Sequence, residues 1–120
     1  MGRLTVEIRE RAIEFSDRVL DVVEALEKKR VYRRIVDQMV GSGTSVGANA
    51  CEADQAVSRP DFCKALGTVI KELAETQYWL GLCARRGWLA ARRLEMLEQE
   101  ALELAKIFST MVVRTRRRKS

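Results

Sequence analysis

Few residues in this 120-residue chain could do covalent chemistry. It contains no histidine, which excludes Ser-His and Cys-His nucleophile pairs and the Glu-x-x-His ligand set of di-iron bundles. Cys51, Cys63 and Cys83 are odd in number and show no C-x-x-C spacing. Without histidine partners they predict neither a disulfide framework nor a zinc site, and buried free thiols are the expectation. Glu72 and Glu75 stand three residues apart, where two carboxylates can pair as acid and base. Acids at that spacing more often bond partners across helices. Gly41, Gly43 and Gly47 resemble a phosphate loop in composition only, since they match neither G-x-x-x-x-G-K-S/T nor G-x-G-x-x-G. The sequence therefore predicts no catalytic residue, no metal and no cofactor.

Cationic chemistry is what remains. Lysine and arginine number 22 against 17 acids, a net charge of +5, and the excess is local. Residues 1 to 30 are balanced at seven and seven, whereas residues 88 to 120 carry eight bases and four acids. Arg114, Arg116, Arg117, Arg118 and Lys119 make residues 114–120 a basic C-terminal tail, and Arg85, Arg86, Arg92 and Arg93 form a second cluster. Flexible guanidinium groups of this kind contact phosphate backbones in a salt-dependent way that is largely blind to sequence. The same residues also serve as helix-end cations and a solubilising tail. Trp88 is the only aromatic residue beside either cluster, and no stacking platform is evident.

Four amphipathic segments position these groups. Ile8, Ala12, Phe15, Val19, Val22 and Leu26 recur at spacings of three and four, predicting a helix over about 5–29 with acids at its start and bases at its end. A second helix is predicted over 31–57. Its apolar register runs from Tyr32, Ile35 and Met39 through to Val46, Ala50, Ala53 and Val57, with a break inside Gly41–Thr44 as the alternative. Ser58-Arg59-Pro60-Asp61 reads as a capping box opening a helix over 59–86, which Arg85-Arg86-Gly87 closes with a basic last turn and a C′ glycine. Trp88 and Leu89 can fold back over that end. Leu94, Leu97, Ala101, Leu104, Phe108 and Met111 mark the fourth helix, over 90–113. Long helices joined by short connections specify an all-α, antiparallel up-down four-helix bundle over residues 1–113.

A helix that keeps its phase through Gly41-Ser-Gly-Thr-Ser-Val-Gly47 gives up roughly 1 kcal/mol per glycine relative to alanine, so close packing must offset the cost. Gly43 and Gly47, one turn apart, are the predicted packing surface. Ser45, Asn49 and Glu52 share a helix face and form a polar strip that fixes helix or subunit register. Val36 and Val40 beside the glycines, and Trp79 and Leu82 beside the core line of the third helix, form extra apolar stripes expected to mark a subunit interface.

The segment Gln38 to Leu80, with GSGTSVGANACEA, then Ser58 and Asp61-Phe62, then KELAETQYW at Lys71–Trp79, resembles the bacterial four-helix-bundle proteins first recognised as products of intervening sequences in 23S ribosomal RNA genes. Gly43, Ser45, Gly47, Asn49, Glu52, Ser58, Asp61, Phe62, Glu72 and Glu75 fall on that family's recurrent positions. Gly41 stands where the family commonly has arginine. That family is similar to the accessory variability proteins of diversity-generating retroelements, which form homopentamers and bind a reverse transcriptase and nucleic acid. The resemblance thus implies a non-enzymatic homo-oligomer, pentameric in that pattern, that binds RNA or DNA without sequence preference and docks onto a reverse transcriptase. The alternative is a structural or protein-interaction module whose charge serves solubility. The absence of a signal peptide or apolar span predicts no membrane contact and a cytoplasmic location.

Overall fold

Chain reversal in this protein depends on left-handed residues just past two helix ends. The computed structural model describes residues 2–118, which form α1 (Val6–Lys28), α2 (Arg33–Asp54), α3 (Arg59–Arg86) and α4 (Ala91–Arg117). Past α3, Gly87 adopts φ 70°. Its N–H donates to the Ala84 carbonyl at 3.1 Å, and the Trp88 N–H donates to the Cys83 carbonyl at 3.0 Å. These two bonds make a Schellman motif on the glycine the sequence singled out. Past α1 the same motif is built on Arg30, at φ 57°, with its N–H on Glu27 O (3.0 Å) and the Val31 N–H on Leu26 O (3.2 Å). Nothing but its place after a basic last turn marks Arg30 for this role, since an L side chain opposes the left-handed conformation.

The helices run antiparallel in order, each packed against its sequence neighbours, as a rod of 52 × 22 × 19 Å. Phe15, Leu26, Met39, Leu66, Leu73, Leu80, Leu94, Leu104 and Phe108 are fully buried along its axis. Of the helix pairs that touch, α1 and α4 pack most sparsely, and Arg11 spans their seam with a two-pronged ion pair to Glu100 at 3.0 and 2.6 Å. Cys63 and Cys83 are buried free thiols and Cys51 is half-buried; burial pushes the Cys83 thiol up to about 11, which leaves it protonated and inert. Among the described residues no helix is long and apolar enough to cross a membrane.

Three helix boundaries depart from expectation. α2 ends at Asp54 rather than near residue 57, because the Arg3 N–H caps the Asp54 carbonyl at 2.9 Å and the Arg3 Nε caps the Ala56 carbonyl at 2.8 Å. Val57 is consequently 86% exposed instead of continuing the apolar register. Tyr32 likewise leaves that register: it is the N-cap of α2 rather than a residue of its inner face. α4 continues past residue 113 through Arg117, so Arg114, Arg116 and Arg117 occupy a helical last turn and not a flexible tail. No glycine or proline interrupts the segment, buried Val112 anchors it, and Thr115 Oγ1 donates back to the Met111 carbonyl at 2.7 Å. Lys119 and Ser120 lie outside the described residues.

α2 is unbroken across the glycines, which excludes the break within Gly41–Thr44. Its three glycines are not equivalent. A Cβ at Gly43 would lie 2.5 Å from Val19 Cγ1, and one at Gly47 would lie 2.9 Å from Ser16 Oγ and 3.3 Å from Ile13 Cα, whereas at Gly41 nothing stands within 4 Å. Ser16 exploits the space. Its hydroxyl donates to the Gly43 carbonyl at 2.7 Å and accepts from the Gly47 N–H at 2.8 Å, bridging the two ends of one rung of the α2 ladder. One layer across the core, Thr76 Oγ1 donates to Ser42 Oγ at 2.9 Å and ties α3 to α2.

Opposite effects of one substitution type follow. Gly43→Ala is expected to destabilise the fold by about 1–3 kcal/mol through overpacking against Val19, whose β-branched side chain cannot swing clear. Gly41→Ala is expected to stabilise it by up to about 1 kcal/mol through helix propensity alone. Urea midpoints of the two variants at equal m-value decide it, and equal shifts of the same sign would refute the close-approach geometry. Arg30→Gly should also stabilise, by about 0.5–1 kcal/mol, through relief of the left-handed residue; an unchanged or lower thermal midpoint would refute that strain.

Candidate nucleic-acid interface

The up-down topology sorts the chain's cations by helix end. One end of the rod, the terminal end, holds the N-terminal segment, the α2–α3 connection and the last turn of α4. The other, the turn end, holds the α1–α2 and α3–α4 turns. At 1.5 Å per residue the 27 residues of α4 separate the two by about 40 Å.

At the terminal end Asp54 organises the N-terminal segment. Its carboxylate, 2% exposed, accepts from the Leu4 N–H at 2.7 Å, from Arg9 Nη1 at 3.2 Å and from Gln55 Nε2 at 3.3 Å. The Leu4 N–H, with Arg9 and Gln55 behind it, holds this carboxyl below the usual carboxylate range against the opposing pull of burial. The strap so fastened carries Arg3 over the Phe62 ring, with the guanidinium carbon 5.8 Å from the ring centroid. There Arg3 meets α4. Arg3, Arg59, Arg114 and Arg118 line a groove of about 380 Å3 with Phe62, Met111 and Thr115. Around the corner of α3, Arg59, Lys64, Arg116 and Arg118 line a second of about 640 Å3. Arg59 Nη1 donates to the Arg118 carbonyl at 3.3 Å and joins the two helices. None of these six bases forms an ion pair among the described residues.

Arg3, Arg59 and Lys64 were not candidates from the sequence, where they stand apart from the C-terminal bases. The available signal was topological: in an up-down bundle the start of the third helix and the end of the fourth share one end. Asp54 had no sequence signal, since the apolar register placed it inside the second helix and not at its end.

At the turn end, Arg85, Arg86, Arg92 and Arg93 are all exposed and are joined by Lys28 and Lys29, which share a groove with Arg93, Asp21 and Glu24. The two basic clusters therefore stay apart, as expected, but each recruits bases from other helices. Trp88 is not the only aromatic residue at this end. Tyr32 comes against Trp88 with ring centroids 6.1 Å apart and planes at 64°, an encounter between two turns that no sequence spacing could show.

The proposed packing residues divide. Gly43 and Gly47 are consumed inside the chain by α1. Val36, 1% exposed, belongs to the chain's own core and not to a subunit surface, whereas Val40, Trp79 and Leu82 stay half-buried. Ser45, Asn49 and Glu52 form no bond across helices among the described residues; the Asn49 amide donates to its own helix, at Ser45 O, 2.8 Å. Asn49 and Glu52 instead line an open groove with Asp61, Lys64 and Thr68 of α3. Glu75 accepts from Trp79 Nε1 at 3.3 Å, a structural use of the acid. No cluster of side chains suited to hold a metal ion occurs among the described residues.

A small-residue seam, a polar α2–α3 groove and two basic ends define a class of small, all-α up-down bundles. Residues 5–110 match the family described as 23S rRNA-intervening sequence protein, and the chain belongs to it. Among solved structures it is similar to a protein of unknown function from the S23 ribosomal protein family of Bacteroides thetaiotaomicron VPI-5482, at 31% identity and a TM-score of 0.82, covering 88% of this chain and 97% of that one. No curated protein matches the chain.

Asp54 supplies a pH test. Because its folded pKa is depressed, its contribution is present above the unfolded value of about 4 and is lost as pH falls through that value toward the folded one. Asp54→Asn keeps an acceptor for Leu4 but not the charge, and is expected to lose about 1–2 kcal/mol at pH 7. Denaturant midpoints of parent and variant should converge as pH falls below about 4. A constant difference from pH 7 to 3 would exclude the charge as the cause.

Proposed function

We propose that this protein is a non-enzymatic, homo-oligomeric nucleic-acid-binding bundle whose basic ends hold RNA or DNA by the phosphate backbone. The observation that carries the reading is the convergence of Arg3, Arg59, Lys64, Arg114, Arg116 and Arg118 from three separate parts of the chain onto one end, with no acid paired to them among the described residues. A solubilising tail needs no such gathering. Guanidinium groups spread around two grooves suit successive phosphates along a strand, and with no base-reading element among them the binding is non-sequence-specific. Membership of the 23S rRNA-intervening sequence protein family is in keeping with a role near ribosomal RNA.

Assembly belongs to the same proposal. Val40, Trp79 and Leu82 leave apolar area on the outer face of α2 and α3, and Met96, 73% exposed, lies with Leu102 in a groove on α3 and α4. A homo-oligomer, pentameric in the pattern of the retroelement accessory proteins, would cover such surface and repeat the basic end around an axis. Docking onto a reverse transcriptase is the corresponding protein partnership.

The test is affinity for generic RNA and single-stranded DNA across a salt series, beside the triple variant Arg59→Gln/Arg114→Gln/Arg118→Gln. Each cation removed from a phosphate should flatten the slope of log K against log salt by about 0.7–0.9, so the slope of the triple variant is expected to be shallower by about two units at an unchanged melting temperature. Absence of binding at low salt, or an unchanged slope in the variant, would overturn the assignment. A single-chain mass at all concentrations would remove the oligomer.

A further inference from the structure

Tyr32 is the most exposed aromatic side chain of the protein's described residues, at 67%, yet it is not free to wander. It caps α2 with φ −44° and ψ 122°, between the left-handed Arg30 and the first turn of the helix, and its ring meets Trp88 edge to face. Trp88 is itself fixed. Its N–H is bonded to Cys83, it packs against the core, and the next residue, Leu89, is 4% exposed. An aromatic ring braced from behind and wet in front is ordered before any ligand arrives, which is what a stacking surface requires.

The charge around the ring has a sign. Arg33 engages both acids that flank the turn, Glu27 at 3.1 Å and Asp37 at 3.7 Å. Lys29, Arg30 and Arg34 on one turn, and Arg85, Arg86 and Arg92 on the other, are exposed and form no ion pair among the described residues. Phosphates held by those bases would leave a nucleobase within reach of the Tyr32 ring. In a duplex both faces of each nucleobase are already stacked; in a single strand they are not.

We propose that Tyr32, braced by Trp88, is a stacking platform for an unpaired nucleobase, and that the turn end therefore takes single-stranded RNA or DNA in preference to duplex. This rests on the nucleic-acid reading above and adds to it a site, a residue and a strand preference. Binding of oligo(U), oligo(dT) and a duplex of equal length is to be measured for the parent and for Tyr32→Ala, Tyr32→Leu and Tyr32→Phe. Tyr32→Ala is expected to weaken single-strand binding about 5- to 100-fold and to leave duplex binding within about twofold, since the cations that hold phosphate are untouched. Tyr32→Leu, which keeps bulk against Trp88 without a π face, should weaken binding as much, and Tyr32→Phe should bind as the parent does. Salt-dependent binding by the parent with no change in Tyr32→Ala, or an equal weakening on duplex, would overturn the platform and leave the electrostatic reading standing. No binding by the parent to any of the three would overturn both.

Discussion

The close approach of α1 and α2 at Gly43 and Gly47 sets the position of most of what surrounds it. Gly43 and Gly47 bring the α2 backbone within reach of the Ser16 hydroxyl, which then bonds to both ends of one helical rung. A Cβ at Gly43 would overlap the Val19 side chain, and one at Gly47 would crowd the Ser16 hydroxyl. With that seam closed, Val19, Val46 and Ala50 are fully buried, and the opposite face of α2 meets α3 through the Ser42–Thr76 bond. The seam also aims the helix ends. It places Asp54 beneath the N-terminal strap and Tyr32 beside the α3–α4 turn.

Charge follows from this arrangement. In an up-down bundle the helix termini gather at two ends, and sequences that put bases in last turns for the helix dipole deliver those bases to the ends. The long sides carry the compensating acids: Arg11 crosses from α1 to Glu100 and Glu103 of α4, and Glu75 is engaged by Trp79. The result is a rod with cationic ends and mixed sides.

Much of this was legible in one dimension. The three-and-four spacing of the apolar residues marked four helices and their core faces, because burial of one stripe is what makes such a helix stable. Ser58 and Gly87 cap α3 as their residue types suggest, since the chemistry of a cap is local. Gly43 and Gly47 are recognisable as a close-packing surface, and Ala12 and Ser16 form the matching small pair one turn apart on α1, but only the fold sets the Ser16 hydroxyl against the α2 backbone. The early end of α2 was not legible, because its cap comes from Arg3. Nor was the helical course of Arg114–Arg117: a run of bases reads as solvated tail until Val112 is seen to anchor it.

By itself the sequence determined the fold class, the absence of histidine chemistry and the positive charge, all of which depend on residue type and near-neighbour spacing. The tertiary structure alone decided which cations act together and which aromatic rings meet. Arg59 joins Arg118, and Tyr32 joins Trp88, only because antiparallel helices fold distant turns onto the same end. Charge and stacking act over ångströms of space, not along residues of chain, so the grouping that gives the two ends their chemistry had no linear trace.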